Sequence, residues 1–274
     1  MVIQPKRHLL DIDFKEIWRY RDLIALFVRR DLVAQYKQTI LGPLWYVINP
    51  LLTSVIYTVI FGNFAGISTD GLPKMLFYMS GTVACNYFAS CLTKTSGTFT
   101  PNAGIFGKVY FPRLVMPLSA VLSNLLQFFI QFLFLGGFMA YFAMKGADFQ
   151  ITRYVFFVPL LIVMMALQGL GFGIIISSLT TKYRDLNNLV SFGVRLWMYA
   201  TPVIYPLSQI PAQYQPFIAI NPMTAVVEYF RYGLLGAGTL SPSHLAYSAV
   251  FTVVVLLVGV ILFNRIEKNF MDTV

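Results

Sequence analysis

Long apolar runs alternate with short polar segments along most of the chain. A helix needs about 20 apolar residues to cross a hydrocarbon core, and six of the runs approach or exceed that length. The predicted spans are Ile40–Phe64, Met75–Thr93, Leu114–Met144, Tyr154–Thr180, Leu189–Tyr205 and Leu245–Phe263. The pattern therefore predicts an all-α integral membrane protein with one six-span transmembrane domain over residues 40–274.

Residues 1–39 precede the first predicted span and combine basic with apolar positions. Apolar side chains recur here every four residues, at Ile24, Val28, Leu32 and Tyr36. This spacing is typical of an amphipathic helix lying in the membrane interface. Because Leu23 and Phe27 point to other faces, we expect this N-terminal cytoplasmic segment to contact both lipid and protein.

Two segments between the spans have distinct compositions. Residues 96–113 contain Pro101, Gly104 and Gly107 before a charged aromatic stretch, and either a short helix presented to a cytoplasmic partner or a solvated connector fits them. Residues 206–235 are apolar but broken by four prolines. Interrupted helices at membrane depth need cover from protein or a water-filled cavity, so short re-entrant helices are predicted between spans five and six.

The composition excludes a soluble domain, because 57% of the residues are hydrophobic and only 11% are charged, with a mean hydropathy of +0.69. A net charge of +9 would suggest a nucleic-acid partner in a soluble protein. Here, with the N terminus inside, the basic residues collect on the inner side, as membrane topology requires. The basic residues assigned to the outer side are Lys74, Lys145, Arg153 and Arg231. We predict a multi-pass protein with both termini cytoplasmic and no nucleic-acid partner.

Candidate chemistry is sparse. Cys85 and Cys91 lie on different faces of a helix, and His8 is far from His244, so neither a disulfide nor a metal site is predicted. The stretch 104–109 lacks the spacing and the Ser or Thr of a phosphate-binding loop, and no catalytic constellation is present. We predict no enzyme activity, no ATPase site and no cofactor in this chain.

Arg195 is the one ionisable residue clearly inside a predicted span. A carrier driven by an ion gradient needs ionisable groups near the middle of its spans, so their scarcity indicates a transporter energised from outside the chain. Arg195 either meets an anionic group of a substrate or extends to the interface and pairs with a carbonyl.

Aromatic residues make up 16% of the chain. Those of interest within the spans are Trp45, Tyr46, Tyr57, Tyr87, Trp197 and Tyr199. Flat rings with polar tips suit the apolar faces and hydroxyl edges of sugars, whereas Trp and Tyr near span ends are also the usual interfacial belt. The sequence leaves both interpretations open.

Four ordered blocks carry a resemblance to a known family. They are Arg29-Arg30-Asp31-Leu32 with Tyr36-Lys37-Gln38-Thr39-Ile40-Leu41-Gly42-Pro43-Leu44-Trp45, then Phe111-Pro112-Arg113-Leu114, then Tyr183-Arg184-Asp185-Leu186, and finally Thr201-Pro202-Val203-Ile204-Tyr205-Pro206 with Asn221-Pro222 and Phe230-Arg231. Together they resemble the polysaccharide-export permeases of the type 2 ABC exporter superfamily, which include O-antigen and teichoic acid export permeases. The resemblance extends in order over nearly the whole chain.

The resemblance implies a permease subunit that works as a homodimer with two separately encoded ABC ATPase subunits, which bind ATP and Mg. Such an assembly moves a lipid-linked polysaccharide outward across the bacterial cytoplasmic membrane. The competing hypotheses are an ABC exporter of drugs or simple lipids, a membrane-embedded glycosyltransferase and a non-catalytic membrane scaffold. The glycosyltransferase would need paired carboxylates near the membrane surface, and none is obvious.

The resemblance also assigns roles to residues, first on the inner side. The substrate entry would comprise Arg30, Lys37, Leu41 and Gly42. The segment that couples to the ATPase would contain Pro101, Ile105, Phe106, Lys108 and Tyr110. At the entry, the basic side chains would attract either a phosphate-bearing headgroup or ordinary anionic lipids, and the sequence does not separate the two.

The conduit and the outer gate receive residues in the same way. The conduit would be lined by the aromatic residues named above together with Arg195. The external gate, residues 206–235 and the end of the fifth span, would include Tyr205, Asn221, Glu228 and Arg231. Glu228 and Arg231, three residues apart, would pair on one helix or across the seam of a dimer.

Overall fold

The computed structural model of the chain describes residues 14–37, 40–98, 102, 104, 111–180 and 186–267. All regular secondary structure in these ranges is helical, which confirms the predicted all-α class. In chain order the α-helices are α1 (Phe14–Arg19), α2 (Arg21–Tyr36), α3 (Trp45–Tyr57), α4 (Lys74–Ser96), α5 (Val115–Met144), α6 (Val158–Thr180), α7 (Leu186–Ala200), α8 (Gln215–Ala219), α9 (Pro222–Leu235) and α10 (Pro242–Glu267). A π-helical segment, Thr58–Phe64, extends α3, and short 3-10 turns occupy Gly42–Leu44, Arg153–Phe157 and Leu207–Gln209.

Within the described ranges, four helical stretches are long and apolar enough to cross a membrane. They are Gly42–Phe64, Val115–Met144, Arg153–Thr180 and Pro242–Asn264, and they coincide with the first, third, fourth and sixth predicted spans. The fifth predicted span overlaps the shorter apolar helix Leu189–Ala200. The second falls on α4, which has 23 residues but a more polar composition. The count of six spans therefore stays a prediction.

The polar character of α4 follows from its position at the centre of the bundle. This helix contacts α3, α5, α6, α7 and α9, and most of its side chains are buried, including the hydroxyls of Ser80, Thr82 and Thr95. A helix covered by protein needs no continuous apolar face towards lipid. Hydropathy alone consequently underrates α4 as a membrane helix.

Small residues allow close packing of α4, α6 and α10. A Cβ atom at Gly169 of α6 would lie 2.6 Å from Cβ of Cys91 on α4, and one at Gly259 of α10 would lie 3.0 Å from the carbonyl oxygen of Gly171. Small residues at helix crossings let backbones approach closely in membranes. These three helices form the tightly packed core against which the outer segment is held.

Two other helices, α3 and α7, leave broad apolar faces uncovered. On α3, Leu52, Val55 and Ile56 are exposed, and on α7 Phe192 and Leu196 are exposed. The inner face of α3 meets α4 through a contact of 3.0 Å between the hydroxyls of Ser54 and Thr82. In a membrane the exposed faces are available to lipid or to another protein.

The interfacial segment forms two helices, α1 and α2, separated at Tyr20. Phe27 of α2 is buried and its ring lies 5.8 Å from that of Phe111, next to the start of α5. The packing face is thus the one that carries Leu23, Ile24 and Phe27, whereas the predicted stripe shares only Ile24 with it. The segment meets protein through this second face because the chain before α5 presents aromatic and apolar groups to it.

Candidate functional site

The proline-broken segment 206–235, predicted to lie on the outer side, contains the short helix α8 and the longer helix α9. Pro216 and Pro222 occupy the first turns of these helices, where a proline costs little because its missing N–H would lack an intrahelical partner. With 14 residues, α9 is about 21 Å long, too short for an ordinary span. Nearly all of its side chains are buried.

Asn221 fixes the beginning of α9 and joins it to the end of α7. Its side-chain oxygen accepts a hydrogen bond of 3.0 Å from the N–H of Met223, which is the usual role of an N-cap residue. Its amide nitrogen donates to Oγ1 of Thr201 at 2.8 Å. One predicted gate residue thereby couples α9 to the turn after α7.

Glu228 and Arg231 form an ion pair on α9, with Nη1 of Arg231 2.9 Å from Oε1 of Glu228. The Arg231 side chain is 1% exposed and the Glu228 side chain is 2% exposed. The second carboxylate oxygen accepts hydrogen bonds from the N–H of Thr239 at 2.7 Å and from its hydroxyl at 3.0 Å. Removing one partner of a buried pair leaves an uncompensated charge, which costs several kcal/mol. The pair lies on one helix, which is one of the two arrangements that the sequence left open, and its burial makes it far more consequential than a surface pair.

Arg231 also contacts two other parts of the fold. Its Nη2 donates to the carbonyl oxygen of Pro202 at 2.8 Å, and its guanidinium lies 3.8 Å from the centre of the Phe77 ring on α4. Burial lowers the pKa of Arg231, and the Glu228 carboxylate acts in the opposite direction. An arginine keeps its proton in proteins, so both partners are charged.

Space for the guanidinium depends on a glycine of α4. A Cβ atom at Gly81 would lie 3.1 Å from Nη2 of Arg231 and 3.2 Å from Cα of Val203. The sequence did not indicate Phe77, Gly81, Pro202 or Thr239 as parts of the site. These residues are far apart in the chain, and residues of these types are common in apolar segments. We call Glu228, Arg231 and these four contacts the outer junction. The outer junction joins α9 to α4, to the turn after α7 and to the loop before α10. Both charged side chains find their partners within one chain.

The predicted entry residues lie at or after the C-terminal half of α2. Lys37 is exposed after α2, and Leu41 is exposed at the start of the 3-10 turn that leads into α3. Gly42 has φ +48°, a left-handed conformation that favours glycine. The Leu41-Gly42 pair therefore forms a sharp bend, and the positive φ angle at its second position favours glycine.

Arg30 is tied to its neighbours. Its Nη2 lies 2.8 Å from Oδ1 of Asp31, and its Nη1 donates to Oδ1 of Asn102 at 3.2 Å. The Asn102 amide in turn donates to the carbonyl oxygen of Thr98 at 2.8 Å. A cavity of about 430 Å³ lies here, with Lys94 among its lining residues. Arg30 thus links α2 to the end of α4.

Five predicted coupling residues fall outside the described residues: Pro101, Ile105, Phe106, Lys108 and Tyr110. Asn102, which follows the first of them, is the described residue in this part of the chain that contacts α2. The link from Arg30 to Asn102 therefore places α2 at the beginning of the predicted coupling segment.

The predicted conduit aromatics separate into exposed and buried groups. Tyr199 is 55% exposed and Trp45 is 43% exposed, and Tyr46 is half-buried. Tyr87 is only 3% exposed, with its ring 5.0 Å from that of Phe128. Tyr87 therefore packs in the core of this chain, and its place in the conduit stays a prediction.

Trp197 and Tyr57 also take part in internal packing. The Trp197 ring lies 5.2 Å from Phe172 and 6.0 Å from Phe88, and the Tyr57 ring lies 6.2 Å from Tyr78. Both residues are half-buried. Tyr57 and Tyr199 lie close enough for their hydroxyl groups to interact, whereas Tyr87 and Trp197 contact aromatic rings inside the bundle.

Two further predicted residues lie on or just after α7. Arg195 is exposed, and the half-buried Tyr205 donates its hydroxyl to the carbonyl oxygen of Tyr199 at 3.0 Å. Both cysteines are buried and free. In the part of the chain that the structure describes, no group of three His, Cys, Asp or Glu side chains could hold a metal ion.

The fold and these sites define a multi-pass, all-helical membrane protein with a buried polar junction built around α9. A family model described as ABC-2 type transporter matches residues 22–235. The chain therefore belongs to the ABC-2 type transporter family.

Curated relatives cover almost the same length. The chain is 30% identical to the O-antigen export system permease protein RfbA of Klebsiella pneumoniae, over 92% of this chain and 94% of the relative. It is 25% identical to the polysialic acid transport protein KpsM of Escherichia coli, over 89% and 93%. It is 20% identical to the capsule polysaccharide export inner-membrane protein CtrC of Neisseria meningitidis serogroup A, over 90% and 92%.

Proposed function

We propose that this chain is the permease subunit of an ATP-driven exporter that moves a lipid-linked polysaccharide of O-antigen type outward across the cytoplasmic membrane. The observation that carries the proposal is its similarity over almost its whole length to an O-antigen export permease. Similarity to capsule polysaccharide export proteins supports the same substrate class. A teichoic-acid substrate is the alternative within this class.

The energy for transport comes from a separate ABC ATPase that binds ATP and Mg. The sequence supports this division because it has no phosphate-binding loop. We place the docking site of the ATPase at Pro101–Tyr110. The hydrogen bond from Arg30 to Asn102 would carry a displacement of that segment to α2 and the adjacent bend at Gly42.

The working unit is a homodimer of this permease with two ATPase subunits. The uncovered apolar faces of α3 and α7 suit a seam between two copies, and Trp45, Tyr46 and Tyr199 lie on or beside these helices. Aromatic side chains from both copies would then meet along the seam and form a surface for sugars. One copy alone would be inactive.

The remaining topology follows the sequence prediction. α4 and α7 would complete six spans, with both termini cytoplasmic, and α8 and α9 would lie in the outer half of the membrane as the external gate. Lys37 and Arg30 would attract the phosphate-bearing headgroup near the Leu41-Gly42 bend. The outer junction would hold α9 in place between transport cycles.

Deletion of the gene tests the proposal in the native host. The lipid-linked glycan is measured in inner and surface fractions of the deletion strain and of strains complemented with the intact gene or with the Phe106→Asp variant. We expect loss of surface polymer with retention inside, and restoration by the intact gene alone. Unchanged surface polymer with altered drug or lipid efflux would instead favour an exporter of drugs or simple lipids.

A further inference from the structure

An apolar groove of about 720 Å³ runs between the interfacial helices and α5. Its α2 wall includes Ala25 and Val28, and its α5 wall includes Leu122 and Leu126. Trp18 of α1, which is 69% exposed, lies at the same groove. The surface is open, deep and almost wholly apolar, which suits a hydrocarbon chain.

The α5 wall of the groove runs along a predicted span. α2 packs near Phe111 and Met116, at the beginning of α5. Leu122 and Leu126 lie six and ten residues beyond Met116, which is about 9 and 15 Å farther along the helix. One end of the groove is therefore at the interfacial helix, and the other end extends along a predicted span towards the hydrocarbon core.

The α2 wall of the groove carries two basic residues. Arg21 and Arg29 are the charged residues that line the groove, both are exposed, and they lie eight residues apart on α2, or about 12 Å. Asp22 lies 3.8 Å from Nε of Arg21 but is almost fully exposed. Basic side chains beside an apolar surface attract anionic lipids.

A second cavity on α5 provides a contrast. It has a volume of about 540 Å³ and is lined by Leu133, Phe134, Gly137, Phe138 and Tyr141, with no charged residue. Hydrocarbon of any lipid fits such a surface equally well. The charge complementarity of the first groove is what distinguishes an anionic lipid from lipid in general.

We propose that the groove between α2 and α5 binds one anionic glycerophospholipid, with an acyl chain along Leu122 and Leu126 and the phosphate held by Arg21 and Arg29. The bound lipid completes the contact between the interfacial helix and α5. The proposal depends on the placement of α5 in the membrane and not on the exported substrate. It therefore stands or falls separately from polysaccharide export.

Trp18 is a built-in probe for this site. The full chain carrying Trp45→Phe and Trp197→Phe is reconstituted into phosphatidylcholine vesicles that contain increasing amounts of acyl-brominated phosphatidylglycerol or acyl-brominated phosphatidylcholine. Bromine quenches tryptophan fluorescence on contact. We expect half-quenching of Trp18 at a mole fraction of phosphatidylglycerol at least fivefold lower than that of phosphatidylcholine, since each nearby basic residue contributes about a fivefold preference.

Matched variants separate the charge from the groove. Arg21→Gln with Arg29→Gln should abolish the preference for phosphatidylglycerol, and Arg21→Lys with Arg29→Lys should retain it. Ala25→Phe fills the groove and should reduce quenching by both lipids. Leu26→Phe, at a neighbouring exposed position outside the groove, should not.

Several results would overturn the proposal. Equal quenching of Trp18 by the two lipids would indicate exchangeable surrounding lipid without a site. If the preference for phosphatidylglycerol persists in the Gln double variant, charges other than Arg21 and Arg29 cause it. Absence of quenching by either lipid would mean that a protein segment, from this chain or a second copy, covers the groove. Quenching of Trp18 by brominated phosphatidylcholine should be unchanged in the Gln double variant, which separates loss of the preference from unfolding.

Discussion

Arg231 and Glu228 form an ion pair of 2.9 Å that is almost completely shielded from solvent, although the two residues lie in the outer segment of the chain. The pair does not act alone, because Arg231 also contacts the Pro202 carbonyl and the Phe77 ring. A charged group in this environment is retained only when its partners are fixed. The geometry of the proposed external gate therefore depends on contacts from elements far apart in sequence.

We predict that Arg231→Met lowers the free energy of unfolding by about 3–5 kcal/mol, because the Glu228 carboxylate stays buried without its charged partner. The double variant Glu228→Gln/Arg231→Met should lose less, since a glutamine is neutral and can still accept from Thr239. Unfolding of the purified protein in detergent, followed by circular dichroism, measures both.

The control for this comparison is Asp22→Asn, an exposed change expected to stay within about 0.5 kcal/mol of the parent. Equal losses in the single and double variants would contradict the role assigned to the uncompensated charge.

Gly81→Ala is predicted to destabilise the fold by about 1–3 kcal/mol, because the added methyl group would contact the Arg231 guanidinium and the backbone of Val203. Gly136→Ala is the matched control, since nothing lies within 4 Å of a Cβ atom there. Alanine has the higher helix propensity, so this control should be neutral or slightly stabilising. Equal thermal unfolding of the two variants would show that α4 tolerates the larger residue at the outer junction.

Phe106→Asp is predicted to stop glycan export without unfolding the membrane helices, because a charge would disrupt an apolar contact with the ATPase. ATP hydrolysis by the co-purified partner should lose its dependence on the permease. Gln150→Glu adds the same charge at an exposed position in the loop between α5 and α6 and serves as the control. Normal export by the Phe106→Asp protein would remove the coupling assignment.

Tyr199→Ala and Trp197→Ala are predicted to differ although the residues are two positions apart. Tyr199 is exposed and suited to contact sugars, so its loss should slow export of long glycans more than short ones. Trp197 packs against Phe88 and Phe172, so its loss should lower the unfolding temperature and affect all chain lengths alike. Glycan length profiles on gels and thermal unfolding together check this. Matching profiles for the two variants would assign both residues to packing.

The helical architecture was predictable because long apolar runs and proline positions act locally. Pro216 and Pro222 lie in the first turns of α8 and α9, a position that proline favours for purely local reasons. The same reasoning was less informative for α4, since its polar side chains reflect burial among neighbouring helices. Hydropathy reports the local composition, whereas burial depends on the assembled bundle.

The candidate site was predictable to a smaller extent. The spacing of Glu228 and Arg231 predicts their pairing, but the contacts with Phe77, Gly81 and Thr239 arise from tertiary packing and have no local signal. Tyr87 shows the opposite difficulty, because a tyrosine in an apolar run is compatible with a conduit and with a core. Its ring contacts Phe128 in the core of this chain, and the sequence contains no sign of that contact.

The most direct test of polysaccharide export uses vesicles reconstituted with the permease and its ATPase and loaded on the ATP-accessible side with radiolabelled lipid-linked glycan. Appearance of label at the opposite surface is measured by release with a glycosidase confined to that side. We predict release that requires ATP, Mg and both subunits, and that is absent when either subunit is omitted. Release that is independent of ATP, or no release while the same vesicles move drugs or simple lipids, would contradict the account.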